Sequence, residues 1–175
     1  MLDYESFQFA APPACGGSWV VKTCLALGLG HCDERSASEP FSCDGKKFRL
    51  SMVRNPKSWL ATVYFMSTTS RPRPFDEMFD SGSQDFYSFL CQVCHTRPGA
   101  VGELFDSYRA DTVMRWEDQP HALFEFLRSA DVRLGCLQFL PYVYRCDPVI
   151  NWTQPMRVML AASEKDILER YNYVV

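Results

Sequence analysis

The chain has no apolar run approaching the roughly 18 residues that a membrane-spanning helix needs, so a bilayer span is not expected. It has no surplus of positive charge. Its 18 Lys and Arg stand against 21 Asp and Glu, a net charge of −3. No global field therefore draws it to nucleic acid, and an anionic ligand must be held by local donors. The opening MLDYESFQF is acidic and lacks an apolar h-region, so no secretory leader is expected. The nucleotide-binding pattern GxxxxGK[ST] is missing, because Gly16 and Gly17 run into SWVVKT, which puts the lysine at the wrong spacing. No internal repeat and no linker divides the 175 residues, which predicts a single domain over 1–175.

Cysteine is not scarce. There are eight, and without a leader they read as free thiols in a reducing compartment, the cytoplasm. The run Cys91-Gln92-Val93-Cys94-His95 matches the attachment motif of c-type haem. It also lies in FYSFLCQVCH, where the two cysteines fall one helical turn apart on an apolar face, and core packing is the better reading. No second CxxC or His pair exists to complete a zinc site, so no metal is expected.

An apolar content of 47% is enough for a folded core. Phe7 to Ala11 reads as a buried strand, followed by a Pro-Pro turn and a small-residue loop into a helix near Trp19. The spacing predicts a helix over 19–29, an exposed polar loop, a strand FRLSMV over 48–53, and a helix KSWLATVYFM over 57–66 behind Pro56. Residues 67–83 read as a surface loop, followed by helices near 84–95 and 99–109. A strand over 110–116, a helix after Pro120 and a last helix over 163–171 complete the pattern. Ser163 is placed at the N-cap of that last helix. Strand–loop–helix units in succession indicate an α/β fold with a mainly parallel central sheet flanked by helices.

Two predicted strand ends collect anion donors, and strand ends are where open α/β sheets bind ligands. The first is Ala14-Cys15-Gly16-Gly17-Ser18, which offers main-chain N–H groups at the start of a helix. The second is Arg54, a planar fork of donors, with Thr62 two helical turns further on. A pair of separated anion sites suits a ligand with two anionic groups.

PACGGSWV followed by MVRNPKSWLATVYF resembles the 5′-phosphosulfate loop and the 3′-phosphate motif of PAPS-dependent sulfotransferases. The family's motifs read approximately PKSGTTW and RNPxD, with a Ser or Thr eight residues after the Arg, the spacing of Arg54 and Thr62. VMRWEDQPHALFEFL is similar to the family's later YEDL-type segment, and ERYNYVV to its usual chain ending. The resemblance implies a P-loop-like three-layer fold and, as cosubstrate, 3′-phosphoadenosine 5′-phosphosulfate (PAPS), which leaves as PAP. Carried over, Cys15, Gly16, Gly17 and Ser18 would hold the 5′-phosphosulfate and Trp19 would lie against the adenine. Arg54 and Thr62 would grip the 3′-phosphate, with Asn151 near the nucleotide or acceptor.

The acceptor would be a small molecule or glycan bearing a hydroxyl or amine. Where the family carries Lys or Arg before the Ser/Thr-Gly, this chain has Ala14, which removes a contact to the bridging oxygen of the transition state. Lys22 and then Lys57 are the substitutes at hand, although a lysine at 22 also fits the solvated side of a helix. For the base that takes the acceptor's proton, related small members carry ALGLxxGHE; the matching run here is ALGLGHCDER. Alignment from Leu29 makes Glu34 the first candidate and His31 the second, against the plain reading of a charged surface loop. Some of Phe75, Met78 and Phe79 would line an acceptor cleft. Two other readings stand: a non-catalytic PAP-binding protein, and a phosphoryl-transfer enzyme of P-loop type.

Overall fold

A computed structural model describes residues 1–32, 41, 47–69, 85–132 and 148–175. In chain order the elements are β1 (Leu2–Asp3), β2 (Phe7–Phe9), α1 (Gly17–Ala26), β3 (His31–Cys32), β4 (Phe48–Val53) and α2 (Pro56–Thr69). Then come α3 (Phe86–Thr96), α4 (Ala100–Ser107), β5 (Thr112–Arg115), a 3-10 turn at Trp116–Asp118, α5 (His121–Ser129), α6 (Gln154–Ser163) and α7 (Lys165–Arg170). The chain forms two compact units, Met1–Arg54 with Phe105–Arg145, and Asn55–Leu104 with Cys146–Val175. None of the described helices is long and apolar enough to cross a membrane.

The first unit holds the whole sheet, five strands in the order β3-β1-β2-β4-β5. It is α/β as expected, but the sheet is mixed and only partly parallel. Strands β2, β4 and β5 run parallel, whereas β1 is antiparallel to both β2 and β3. Only Tyr4, Glu5 and Ser6 separate β1 from β2, far too few residues for a parallel crossover, and Tyr4 N donates to Phe7 O at 2.9 Å across the bend. At two residues each, β1 and β3 are too short to leave a period in the sequence.

The parallel register places Phe7 beside Phe48 and Phe9 beside Leu50, so these residues share one face with Met52. Phe126 of α5 meets Phe7 edge-on at 5.1 Å and stacks on Phe48 at 5.9 Å. Phe9, Leu50 and Met52 are fully buried, as are Leu123 and Leu127 of α5 and Val20 and Cys24 of α1.

The second unit is helical. Its core is made by Trp59, Leu60 and Val63 of α2, Phe89, Leu90 and Val93 of α3, and Leu160 and Ile167 of α6 and α7. Tyr64 packs against Phe86 and Phe89, and Phe86 against Trp152. The aromatics at 64, 86 and 89 are therefore packing residues, whereas Phe65 and Tyr87 are exposed. Cys94 is buried in the same helix and His95 is exposed. Among the described residues no three His, Cys, Asp or Glu side chains gather as a metal site.

The end of the chain departs from expectation. Residues 154–163 form α6, with Pro155 in its first turn, where a missing N–H costs nothing. Ser163 closes α6 instead of capping the last helix, and Glu164 occupies the cap position of α7. Its carboxylate is spent elsewhere: it accepts from the main-chain N–H groups of Val101 and Gly102 in α4, at 3.4 and 3.2 Å. Helix α2 runs to Thr69, three residues into the expected loop, and Thr68 and Thr69 return their hydroxyls to Tyr64 O and Phe65 O.

Candidate functional site

The loop between β2 and α1 is built by two residues in left-handed conformation. Cys15 N donates to Pro12 O at 3.2 Å, closing a turn in which Pro13 precedes Ala14 at φ 61°. That is the geometry in which Pro suits the second position and positive φ the third. Gly16, at φ 83°, is the N-cap of α1, which begins at Gly17, two residues earlier than the sequence pattern indicates. A Cβ on Gly16 would collide with the indole ring of Trp116, and one on Gly17 would press on Ala11 at 3.1 Å. Both glycines therefore have an internal packing reason, which sequence reasoning attributed to a ligand. The consequence is a loop locked in shape, in which Trp19 N donates to Gly16 O at 3.0 Å and the N–H groups of Gly17 and Ser18 have no acceptor inside the helix. Ser18 is exposed at this end and Trp19 is half-buried.

Arg54 is fastened to this loop. Its guanidinium donates to Ala14 O at 2.9 Å, 40 residues away in sequence, and lies 6.0 Å above the Trp116 ring, within cation–π range. The side chain is 5% exposed. Arg54 follows β4 and the loop follows β2, and these strands are parallel neighbours. Their C-terminal ends thus bring a guanidinium and a helix N-terminus into one region of the first unit. The Cys15 thiol beneath the loop is fully buried. Burial pushes its pKa far above the usual thiol range, against the opposing pull of the Arg54 charge. Neither this thiol nor the Cys15 N–H, which is given to Pro12 O, is presented as a donor to a ligand. Trp116, which sits under both Gly16 and Arg54, was not singled out from sequence. The sequence pattern makes it the last residue of the predicted strand over 110–116, whereas β5 ends at Arg115.

The other candidates are distributed elsewhere. Thr62, in the second unit, donates its hydroxyl to Ser58 O at 2.9 Å, so giving that proton to a ligand requires rotation away from the helix. Asn151, in the same unit, is exposed. Lys22 is exposed on α1, the solvated side. Lys57 sits in the first turn of α2 with its ammonium 5.7 Å above the ring of Trp152. His31 is exposed in β3, opposite Asp3 of β1. That strand is two positions from β2 in the sheet, about 10 Å at normal strand spacing. The Asp3 carboxyl is held below its ordinary value chiefly by the hydrogen bond from Lys47 at 2.7 Å. Glu34, and Phe75, Met78 and Phe79 of the expected acceptor cleft, lie outside the described residues.

No protein-family model matches the chain, and neither a curated protein nor a solved structure matches it.

Proposed function

We propose that the chain binds PAPS or its product PAP and transfers the sulfuryl group to a hydroxyl or amine of an acceptor, on a P-loop-like three-layer fold. The observation that carries this reading is the bond from Arg54 to Ala14 O. Through it, the two stretches that resemble nucleotide motifs meet at adjacent strand ends. The donor set there suits an oxyanion: the N–H groups of Gly17 and Ser18, the exposed Ser18 hydroxyl and a guanidinium fork. In the proposed reaction the acceptor oxygen or nitrogen forms a bond to sulfur as the bond from sulfur to the bridging phosphosulfate oxygen breaks. PAP leaves with that electron pair, and the acceptor's proton passes to Glu34 or His31.

Calorimetry with PAP and ATP tests the binding half of the proposal. PAP is expected to bind and ATP to bind far more weakly. Arg54→Ala is expected to weaken PAP at least about tenfold, or about 1.4 kcal/mol. Arg54→Lys restores little, because an ammonium cannot reproduce the fork. A folded protein that takes up no PAP overturns the reading.

Ala14 favours a second form of it, a PAP-binding protein without turnover, since the position that carries a cation in the resembling motif holds a methyl group. Labelled PAPS with an acceptor panel, run on the native chain and on Ala14→Lys, separates the two. Transfer by the variant alone favours the binding protein, and transfer by both favours the enzyme.

A further inference from the structure

The helical unit gathers positive charge at one residue. The Lys57 ammonium lies 5.7 Å above the Trp152 ring, and Arg157 donates from Nε to Trp152 O at 3.3 Å. Two cations are thus held on opposite parts of one tryptophan, itself braced edge-on by Phe86 at 5.1 Å. Among the described residues neither cation has a carboxylate within ion-pair distance. Both sit in the first turns of helices of 14 and 10 residues, so the helix dipoles add to the positive field. This occurs in a chain whose net charge is −3. Desolvation, and then the Arg157 charge, hold the Lys57 ammonium below the ordinary lysine value. Like charges placed together without a counter-ion repel, and an anion between them turns that repulsion into attraction.

We infer that Lys57 and Arg157, positioned by Trp152, form a receptor for a tetrahedral oxyanion, a phosphate or sulfate group. Guanidinium and ammonium groups give charge-assisted hydrogen bonds to such oxygens, and the indole shields one side from water. The oxyanion belongs either to a nucleotide or to a second molecule, and the recognising chemistry is the same for both. This inference does not rest on the sulfotransferase reading, because inorganic phosphate probes the site without PAP.

Tryptophan emission is followed while inorganic phosphate replaces chloride at constant ionic strength. A saturable change is expected in the native chain and absent from Trp152→Phe. Lys57→Gln and Arg157→Gln each raise the midpoint at least about tenfold, Arg157→Lys raises it less, and Lys165→Gln on α7 leaves it in place. Isotope-labelled lysine NMR is expected to move the Lys57 titration upward as phosphate saturates. Repeating the titration with saturating PAP distinguishes the sources: competition assigns the oxyanion to the nucleotide, and undisturbed binding assigns it to another molecule. Phosphate behaving as chloride does, or both glutamine variants keeping the native midpoint, overturns the inference.

Discussion

At Gly16 a single hydrogen stands where a methyl group would strike the Trp116 ring, and the backbone has positive φ. Gly16→Ala therefore incurs both strain and a clash. Urea unfolding is expected to show a loss of at least about 2 kcal/mol, with any PAP binding reduced in parallel. Ser51 presents the opposite case. It is 1% exposed on β4, and its hydroxyl has no hydrogen-bond partner among the described residues. An unsatisfied buried hydroxyl costs about 1–3 kcal/mol, so Ser51→Ala is expected to leave the melting temperature unchanged or raise it. A clear fall would show that the hydroxyl does have a partner. Neither residue's role could be read from sequence. A glycine in a loop suits a ligand and a neighbouring ring equally well, and the ring in question lies 100 residues further along the chain.

Among the elements, α4 depends on a carboxylate from outside itself. Glu164 is 2% exposed and receives N–H groups from the start of that helix, where negative charge is also favoured by the dipole. Glu164→Ala leaves those donors buried and unpaired. It is expected to cost about 1–3 kcal/mol in denaturant unfolding. Burial raises the Glu164 carboxyl above its ordinary 4.5, against the lowering effect of the Gly102 and Val101 amides. The folded chain therefore holds this proton more tightly than the unfolded chain does. Its contribution to stability is greatest below 4.5 and declines as pH rises through the raised value. Glu164→Gln is expected to flatten that part of the stability–pH curve, and an unchanged slope would assign it to other groups. The long periodic elements β4, α2 and α3 were legible because apolar spacing marks them over six residues or more. The two-residue strands β1 and β3 left no such mark, and α6, with Pro155 in its first turn, was not expected from the sequence.

Across the whole molecule, the described cysteines differ in chemistry according to burial. Cys24 is pushed up to about 12 and Cys94 to about 11, both chiefly by burial, and Cys15 is raised further. Cys91 is half-buried. Against the ordinary 9.0, a thiol at about 11 carries about a hundredfold less thiolate. Brief alkylation of the native protein, read by peptide mass spectrometry, is expected to label Cys91 before the other three. Equal labelling of Cys15 and Cys91 in folded protein would contradict the burial seen here.

The sequence by itself determined the α/β class, the strands β2, β4 and β5 in outline, and the placement of a glycine loop after one strand and of Arg54 after another. Those features depend on local periodicity and on residues whose chemistry is their own, such as the guanidinium of Arg54. Only the tertiary structure decided that Arg54 grips Ala14 O, that Trp116 fills the space beside Gly16, and that Trp152 brings Lys57 and Arg157 together. Each brings in a residue 40 to 100 positions away: Ala14 for Arg54, Trp116 for Gly16, and Lys57 for Trp152 and its near neighbour Arg157. Packing makes such pairings, and no period along the chain encodes them.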